Sequence, residues 1–391
     1  MRDIGVLHDA AVAVSDGRIA AVGRDRDLRS RYPRASRVDC ERGVLMPALV
    51  DSHTHAVFGA PRSAEHEMRA AGLDYMEIAR KGGGIHASVR DTRARSESEL
   101  LQLARGRVRR LMSFGVGTIE VKSGYGLSLE DELKLLRVIR RLASELPVRL
   151  VPTFLGAHEI PLEYRESAAR RREYVELVVN EMIPAVANEQ LAVFADVFCE
   201  TGVYTIEESR EILTAARRAG LGLKLHADEL SASGGAELAA ELGAASADHL
   251  AAISDAGIAA LASSGTVATL LPSTMLFLGK SAQAPARRML DAALPIALAT
   301  DFNPGTSPTV SLPLVLTLGV SQLRMSASEV IAAATVNAAA ALGLGDQVGQ
   351  IAPGYFADLA LMTISDYREL PYWLGARVCA GLWTRGKACE V

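Results

Sequence analysis

The apolar run Met46-Pro47-Ala48-Leu49-Val50-Asp51-Ser52-His53-Thr54-His55 ends on two histidines two residues apart. On a strand, residues i and i+2 point the same way, so both imidazoles can face one cation. A third imidazole, His226, stands in Lys224-Leu225-His226-Ala227-Asp228-Glu229, and a carboxylate, Asp301, in Ala299-Thr300-Asp301-Phe302-Asn303-Pro304-Gly305. Imidazole nitrogen and carboxylate oxygen suit Zn²⁺ or Fe²⁺, with no thiolate to select a softer ion. Such an ion brings the pKa of a bound water near neutrality. Glu229 and His249 are then the groups that could take or relay its proton or polarise a carbonyl. Each residue also has a blander reading. His226 alone would be a hydrogen-bonded core histidine and Asp301 a turn aspartate before Asn-Pro-Gly. Glu229 would be a helix-start carboxylate near Ser231 to Gly235, and His249 a core histidine paired with Asp248.

What favours chemistry is where the elements put these groups. Strand-like segments at 48–51, 117–122, 149–155, 195–199, 222–226, 246–249, 266–271 and 296–300 alternate with helical spacing. Leu100, Ala104, Val108 and Leu111 make one apolar stripe, and Ser96/Glu99, Ser128/Asp131, Thr205/Glu208 and Ser326/Glu329 fit a helix-start signal. The pattern predicts an α/β chain with a (β/α)₈ barrel over 47–345; a doubly wound open sheet is the alternative. Asp16-Gly17 between apolar segments predicts a hairpin. Near the other end, 348–351, Pro353-Gly354 and 357–362 read as strand, turn, strand. Neither end can bury a sheet face alone, so 1–46 and 346–391 are expected to pair as a small β-sandwich domain. In a barrel, catalytic groups sit at the C-terminal ends of strands. His53, His55, His158, His226 and His249 all fall there, five of the eight histidines, with Lys122, Tyr125, Glu200 and Asp301.

The bulk numbers exclude other classes. A formal net charge of -4 offers no basic stripe for nucleic acid. Four scattered cysteines (Cys40, Cys199, Cys379, Cys389) make no disulfide framework and suit a reducing compartment. No signal-peptide core and no uncharged run of about 18 apolar residues is visible, which points to a cytoplasmic protein without a membrane span. Arg62, a short loop after the first barrel strand, could bind a carboxylate in bidentate fashion. The Arg170-Arg171-Arg172 run reads as solvated surface, and Gly82-Gly83-Gly84 as backbone able to approach a ligand.

With these residues assembled, the chain resembles the amidohydrolase superfamily over nearly its whole length. The resemblance rests on Asp51-Ser52-His53-Thr54-His55-Ala56-Val57-Phe58-Gly59, Gly82-Gly83-Gly84-Ile85, Glu120-Val121-Lys122-Ser123-Gly124-Tyr125-Gly126-Leu127 and Phe154-Leu155-Gly156-Ala157-His158. It continues through His226-Ala227-Asp228-Glu229, Ser246-Ala247-Asp248-His249-Leu250 and Ala299 to Gly305. The particular branch it looks like opens the ring of 4-imidazolone-5-propanoate in histidine degradation, giving N-formimidoyl-L-glutamate. The resemblance implies one Zn²⁺ or Fe²⁺/Fe³⁺ per subunit on His53, His55, His226 and Asp301. It implies contacts to a small anionic substrate from Arg62, Tyr125, His158, Asn303, Gly305 and Thr306, with Glu229, His249 and Asp301 sharing the proton transfers. A homodimer is also implied, as is a further strand ahead of the segment 9–14. The fourth strand offers Glu200 and no lysine to bridge two metals, so a single ion is expected. The rivals are a different amidohydrolase, such as a deaminase, and a non-catalytic barrel that binds a small anion.

Overall fold

Asp16 and Gly17, at φ 50° and 76°, turn the chain between β1 (Ala10–Ser15) and antiparallel β2 (Arg18–Arg24). Positive φ at both central residues matches the twist of paired strands, which is why Asp-Gly makes this hairpin. The computed structural model describes residues 4–73, 77 and 82–390. After the hairpin, β3 (Val44–Pro47) leads straight into β4 (Leu49–Asp51). Seven more strands follow: β5 (Val116–Lys122), β6 (Arg149–Ala157), β7 (Phe194–Cys199), β8 (Gly222–Ala227), β9 (Ser246–His249), β10 (Val267–Leu270) and β11 (Ile296–Leu298). Strands β4 to β11 pair in sequence order as one parallel eight-stranded sheet. A doubly wound sheet would reverse its order at a switch point; this one does not, and the barrel expectation holds at all eight strands.

The helices form where the sequence marks them. Ser96, Ser128, Thr205 and Ser326 each accept a backbone N–H at a helix start, satisfying a donor the helix leaves open. Leu100, Ala104, Val108 and Leu111 lie on one side of the helix Glu97–Met112 and are wholly buried.

The barrel closes where β4 meets β11. Asp301 N–H donates to His53 O (3.0 Å) and His55 N–H to Phe302 O (2.8 Å), with a parallel bridge between Thr54 and Phe302. One turn below, the buried Asp51 carboxylate accepts from Thr300 N–H (3.0 Å) and Thr300 Oγ1 (2.7 Å). The first and last strands are thus joined through the residues that precede His53 and Asp301.

The two ends of the chain meet beneath the barrel. β12 (Leu359–Met362), β13 (Cys379–Thr384) and β14 (Lys387–Cys389) form an antiparallel sheet in the order β14-β13-β12-β3. It lies against the start of β5, where a Cβ on Gly117 would meet Ala48 at 2.6 Å and Leu382 at 3.7 Å. The hairpin docks by Ile19 N–H to Tyr355 O and Ala357 N–H to Gly17 O (both 2.9 Å). One expectation fails here: residues 348–351 are not a strand. Val348 is buried, Gly349 is at φ 85°, and Val348 N–H is used in a turn to Leu344 O (3.1 Å), leaving no extended ladder.

Thr300→Val keeps the shape of the seam but leaves the buried Asp51 carboxylate short of a donor. It should lower unfolding stability by about 1–3 kcal/mol, read as a lower urea midpoint at unchanged slope.

Candidate metal centre

The register of the closing seam brings His53, His55 and Asp301 together, and β8 carries His226 to the same place, its ring centre 4.6 Å from that of His53. His53, His55, His226 and Asp301 are each at most 3% exposed. His53 Nε2 lies 3.5 Å and His55 Nε2 3.6 Å from Asp301 Oδ1. Donor atoms of His53, His55 and His226 lie within 4.8 Å of one another. His53 Nε2 and His226 Nε2 are buried without a hydrogen-bond partner among the described residues. Buried nitrogens left bare are costly unless something fills them, and a divalent cation would. Burial, foremost, holds all three imidazoles well below their usual pKa, so they stay neutral and keep a lone pair to give. Burial also raises Asp301 to about 7, against the help of Thr274, whose Oγ1 donates to Asp301 Oδ2 at 2.6 Å. The residues present fit a single cation of the Zn²⁺ or Fe²⁺ kind.

Carboxylates stand behind the rings. Asp248 Oδ2 accepts from His53 Nδ1 at 2.6 Å, which leaves Nε2 as the bare nitrogen. Asp196 Oδ2 is 2.9 Å from His226 Nδ1 without the alignment of a hydrogen bond, while Asp196 Oδ1 accepts His226 N–H at 3.1 Å. The blander reading of His249 as the partner of Asp248 is therefore overturned: Asp248 serves His53. The helix-start role imagined for Glu229 belongs to Asp228, which accepts four backbone N–H groups from Ser233 to Ala236 at 2.9–3.2 Å. Glu229 is left free to face His249, with Oε2 3.6 Å from Nδ1. Burial first, then the Asp301 and Glu200 charges, raise Glu229 to about 8. Burial lowers His249 to about 4, so it is neutral near pH 7. Asp228, His249 and Asp301 all have positive φ (49°, 75° and 51°), an uncommon backbone for side chains with a Cβ, and it marks the strand ends where the site is built.

The expected substrate contacts line the same mouth. His55 stacks on His158 with ring centres 5.1 Å apart, and Tyr125 lies 5.4 Å from His158. His158 Nδ1–H donates to Gly124 O (2.9 Å), which leaves its Nε2 for a ligand. Arg62 lies directly on Gly305: a Cβ there would fall 1.0 Å from Arg62 Nη2, so only glycine admits the guanidinium. Asn303 is the turn-former of its loop, its Oδ1 accepting from Gly305 N–H (2.8 Å) and Thr306 N–H (2.7 Å). Glu200 braces the next loop, accepting from Leu230 N–H (2.8 Å) and from Ser231 Oγ. The arginine run is surface as expected, paired with Glu173, Glu208 and Glu211.

In the sequence no role behind the donors falls to Glu120, Asp196 or Lys224, Lys122 is placed only at a strand end, and Asp248 is set beside His249. A signal was present, since Glu120/Lys122, Lys224/His226 and Ser246/Asp248 are polar pairs two apart, each on one face of a buried strand.

A model of the amidohydrolase family matches residues 44–389, and an imidazolonepropionase-like composite domain of bacteria matches residues 10–35. The chain is 48% identical to an imidazolonepropionase of Symbiobacterium thermophilum over 391 residues, 99% of this chain and 91% of that protein. It is 46% identical to one of Solibacter usitatus, over 99% of this chain and 92% of that protein. Among solved structures, an adenosine deaminase from Xanthomonas campestris with bound zinc aligns at TM-score 0.73 and 20% identity, over 98% of this chain and 88% of that one. At that identity the likeness is one of fold.

A carboxyl whose pKa is raised by folding from 4.5 to about 8 favours the folded state less and less as pH climbs through that window, and no further above it. Glu229→Gln removes this penalty. In metal-stripped protein the variant's stability relative to the parent should therefore rise between about pH 5 and 8; denaturation at several pH values would show a flat difference if Glu229 were ordinary.

Proposed function

The chain belongs to the amidohydrolase family and, within it, to the imidazolonepropionases, and from that premise we propose how its residues divide the work. It is a hydrolase of a cyclic amide C–N bond: water and 4-imidazolone-5-propanoate give N-formimidoyl-L-glutamate, a step of histidine degradation.

The observation that carries the assignment of roles is the meeting of His53, His55, His226 and Asp301 beside the Glu229–His249 pair. One Zn²⁺ or Fe²⁺/Fe³⁺ ion per subunit, held by those four residues, would supply Lewis acidity to the ring carbonyl and acidify a water. Glu229 is the base. Its pKa of about 8 lies close enough to neutrality for it to accept a proton and give it back. It takes a proton from the water as the water oxygen bonds to the ring carbonyl carbon. It returns that proton to the ring nitrogen as the C–N bond breaks, and ends as it began. Asp301 is the poorer base because Thr274 and the two imidazoles already engage its oxygens. His249, neutral, donates a hydrogen bond to the carbonyl oxygen as charge gathers there.

Arg62 holds the propanoate. Its Nε is buried without a partner among the described residues, and its nearest carboxylate, Glu65, stands 3.8 Å from Nη1, too far for a hydrogen bond. A guanidinium so placed has donors to spare for an anion. Tyr125 and His158 orient the ring. Gly305 supplies closeness, while Asn303 and Thr306 shape the loop beneath. The anionic arm separates this reading from hydrolysis of a neutral base, which would leave Arg62 without use. Among the described residues no helix is long and apolar enough to cross a membrane. A cytoplasmic homodimer is part of the proposal and rests on the family likeness.

Loss of imidazolonepropanoate absorbance should require metal: chelation should abolish it and Zn²⁺ or Fe²⁺ restore it, and turnover without metal would overturn the reading. Arg62→Met should raise KM roughly 10- to 100-fold, the worth of a hydrogen bond to a charged group, with a smaller change in kcat. Gly305→Ala should do the same by displacing the guanidinium.

A further inference from the structure

Behind the donors, the barrel interior holds five charged side chains that water does not reach: Glu120 and Lys122 on β5, Asp196 on β7, Lys224 on β8 and Asp248 on β9. Buried charges survive only when paired and hydrogen-bonded. Their pairing is not even. Lys122 Nζ donates to Asp196 Oδ2 (2.8 Å) and Glu120 Oε1 (2.9 Å) and stands 3.5 Å from Asp248 Oδ2. Lys224 Nζ reaches Glu120 Oε2 (3.4 Å) and the carbonyls of Ser52 (3.3 Å) and Ala341 (3.5 Å). Among the described residues, then, Lys122 alone touches both carboxylates that stand behind the proposed donor imidazoles: Asp248 behind His53 and Asp196 behind His226.

The geometry points to Lys122 as a positioning residue for the metal centre: one ammonium draws Asp196 and Asp248 together and so fixes the rings of His53 and His226 from the rear. The inference rests on the reading of His53, His55, His226 and Asp301 as ligands. The spacing adds a second reason. His53, Glu120 and Asp248 are close enough to hold a cation themselves. Lys122 stands against two of the three and serves as that cation from within the chain. Without it, three carboxylates would repel one another in a dry interior, and Asp248 could turn away from His53 Nδ1.

The test uses Co²⁺, whose visible absorption reports the ligand geometry, with affinity measured by competition against a chromophoric chelator. The full-length protein is compared with Lys122→Met and Lys224→Met. Lys122→Met should bind Co²⁺ roughly 10- to 100-fold more weakly, the usual loss when a group orienting a ligand is removed, and with an altered visible band. Lys224→Met removes a charge that acts on Asp196 and Asp248 only through space, without a direct contact to either, and should lose clearly less affinity than Lys122→Met and keep the parental band. If Lys122→Met does not fold by circular dichroism, Asp248→Asn takes its place; it keeps the volume, weakens the grip on His53 Nδ1–H, and should show the same loss. A folded Lys122→Met or Asp248→Asn with parental affinity and spectrum overturns the inference. So does an equal loss in Lys224→Met, which would make the effect one of buried charge in general. Failure of the parent protein to bind Co²⁺ would instead strike the ligand assignment itself.

Discussion

Closure of the barrel is the constraint on which the rest of the molecule depends. The two backbone hydrogen bonds that join the chain just past β4 to the chain just past β11 are made by His53, His55, Asp301 and Phe302. Three of these four residues are among the proposed metal donors. The bonds that finish the sheet therefore also set the distance between donors 246 and 248 positions apart in the chain. A slip of one residue at this seam would turn every alternate side chain to the other face. The Asp51–Thr300 clamp pins the register one step below.

Around that seam the protein keeps polar groups dry and gives several of them a fixed task. The imidazoles are held neutral by burial, Asp248 fixes which nitrogen of His53 carries its proton, and Asp228 is spent on the helix behind Glu229. Among the described residues His53 Nε2 and His226 Nε2 are left without a partner, in keeping with the proposed ligand roles. Left-handed backbone at Asp228, His249 and Asp301 aims these side chains where regular strand geometry would not, at a cost of roughly 1–3 kcal/mol each that the surrounding core must offset.

Much of this was legible in the sequence because the barrel repeats a local rule. Apolar strands, capped helices and polar residues at strand ends were enough to place His53, His55, His226, His249 and Asp301 at one mouth, and the capping serines and Thr205 marked helix starts correctly. What stayed hidden depends on contacts between strands. Nothing near Asp248 in sequence says that its carboxylate turns to His53, 195 positions earlier, and not to its neighbour His249. Arg62 could be singled out as a carboxylate binder from its place after the first barrel strand, but its seat against Gly305, 243 positions later, could not. Residues 348–351 read as a strand because the run is apolar, but a glycine at positive φ and a tight turn took its backbone elsewhere.

The antiparallel sheet beneath the barrel has its own consequence. β12, β13 and β14 come after every barrel strand, yet β13 packs against the opening residues of β5, where Gly117 leaves no room for a side chain. During synthesis, the ribosome must make all eight parallel strands before the sheet that covers the start of β5 can be completed. For that interval Gly115, Gly117 and the side chains beside them lack the cover of Ala360, Met362 and Leu382, and this apolar flank lies within reach of chaperones or of other unfinished chains until the last strands arrive.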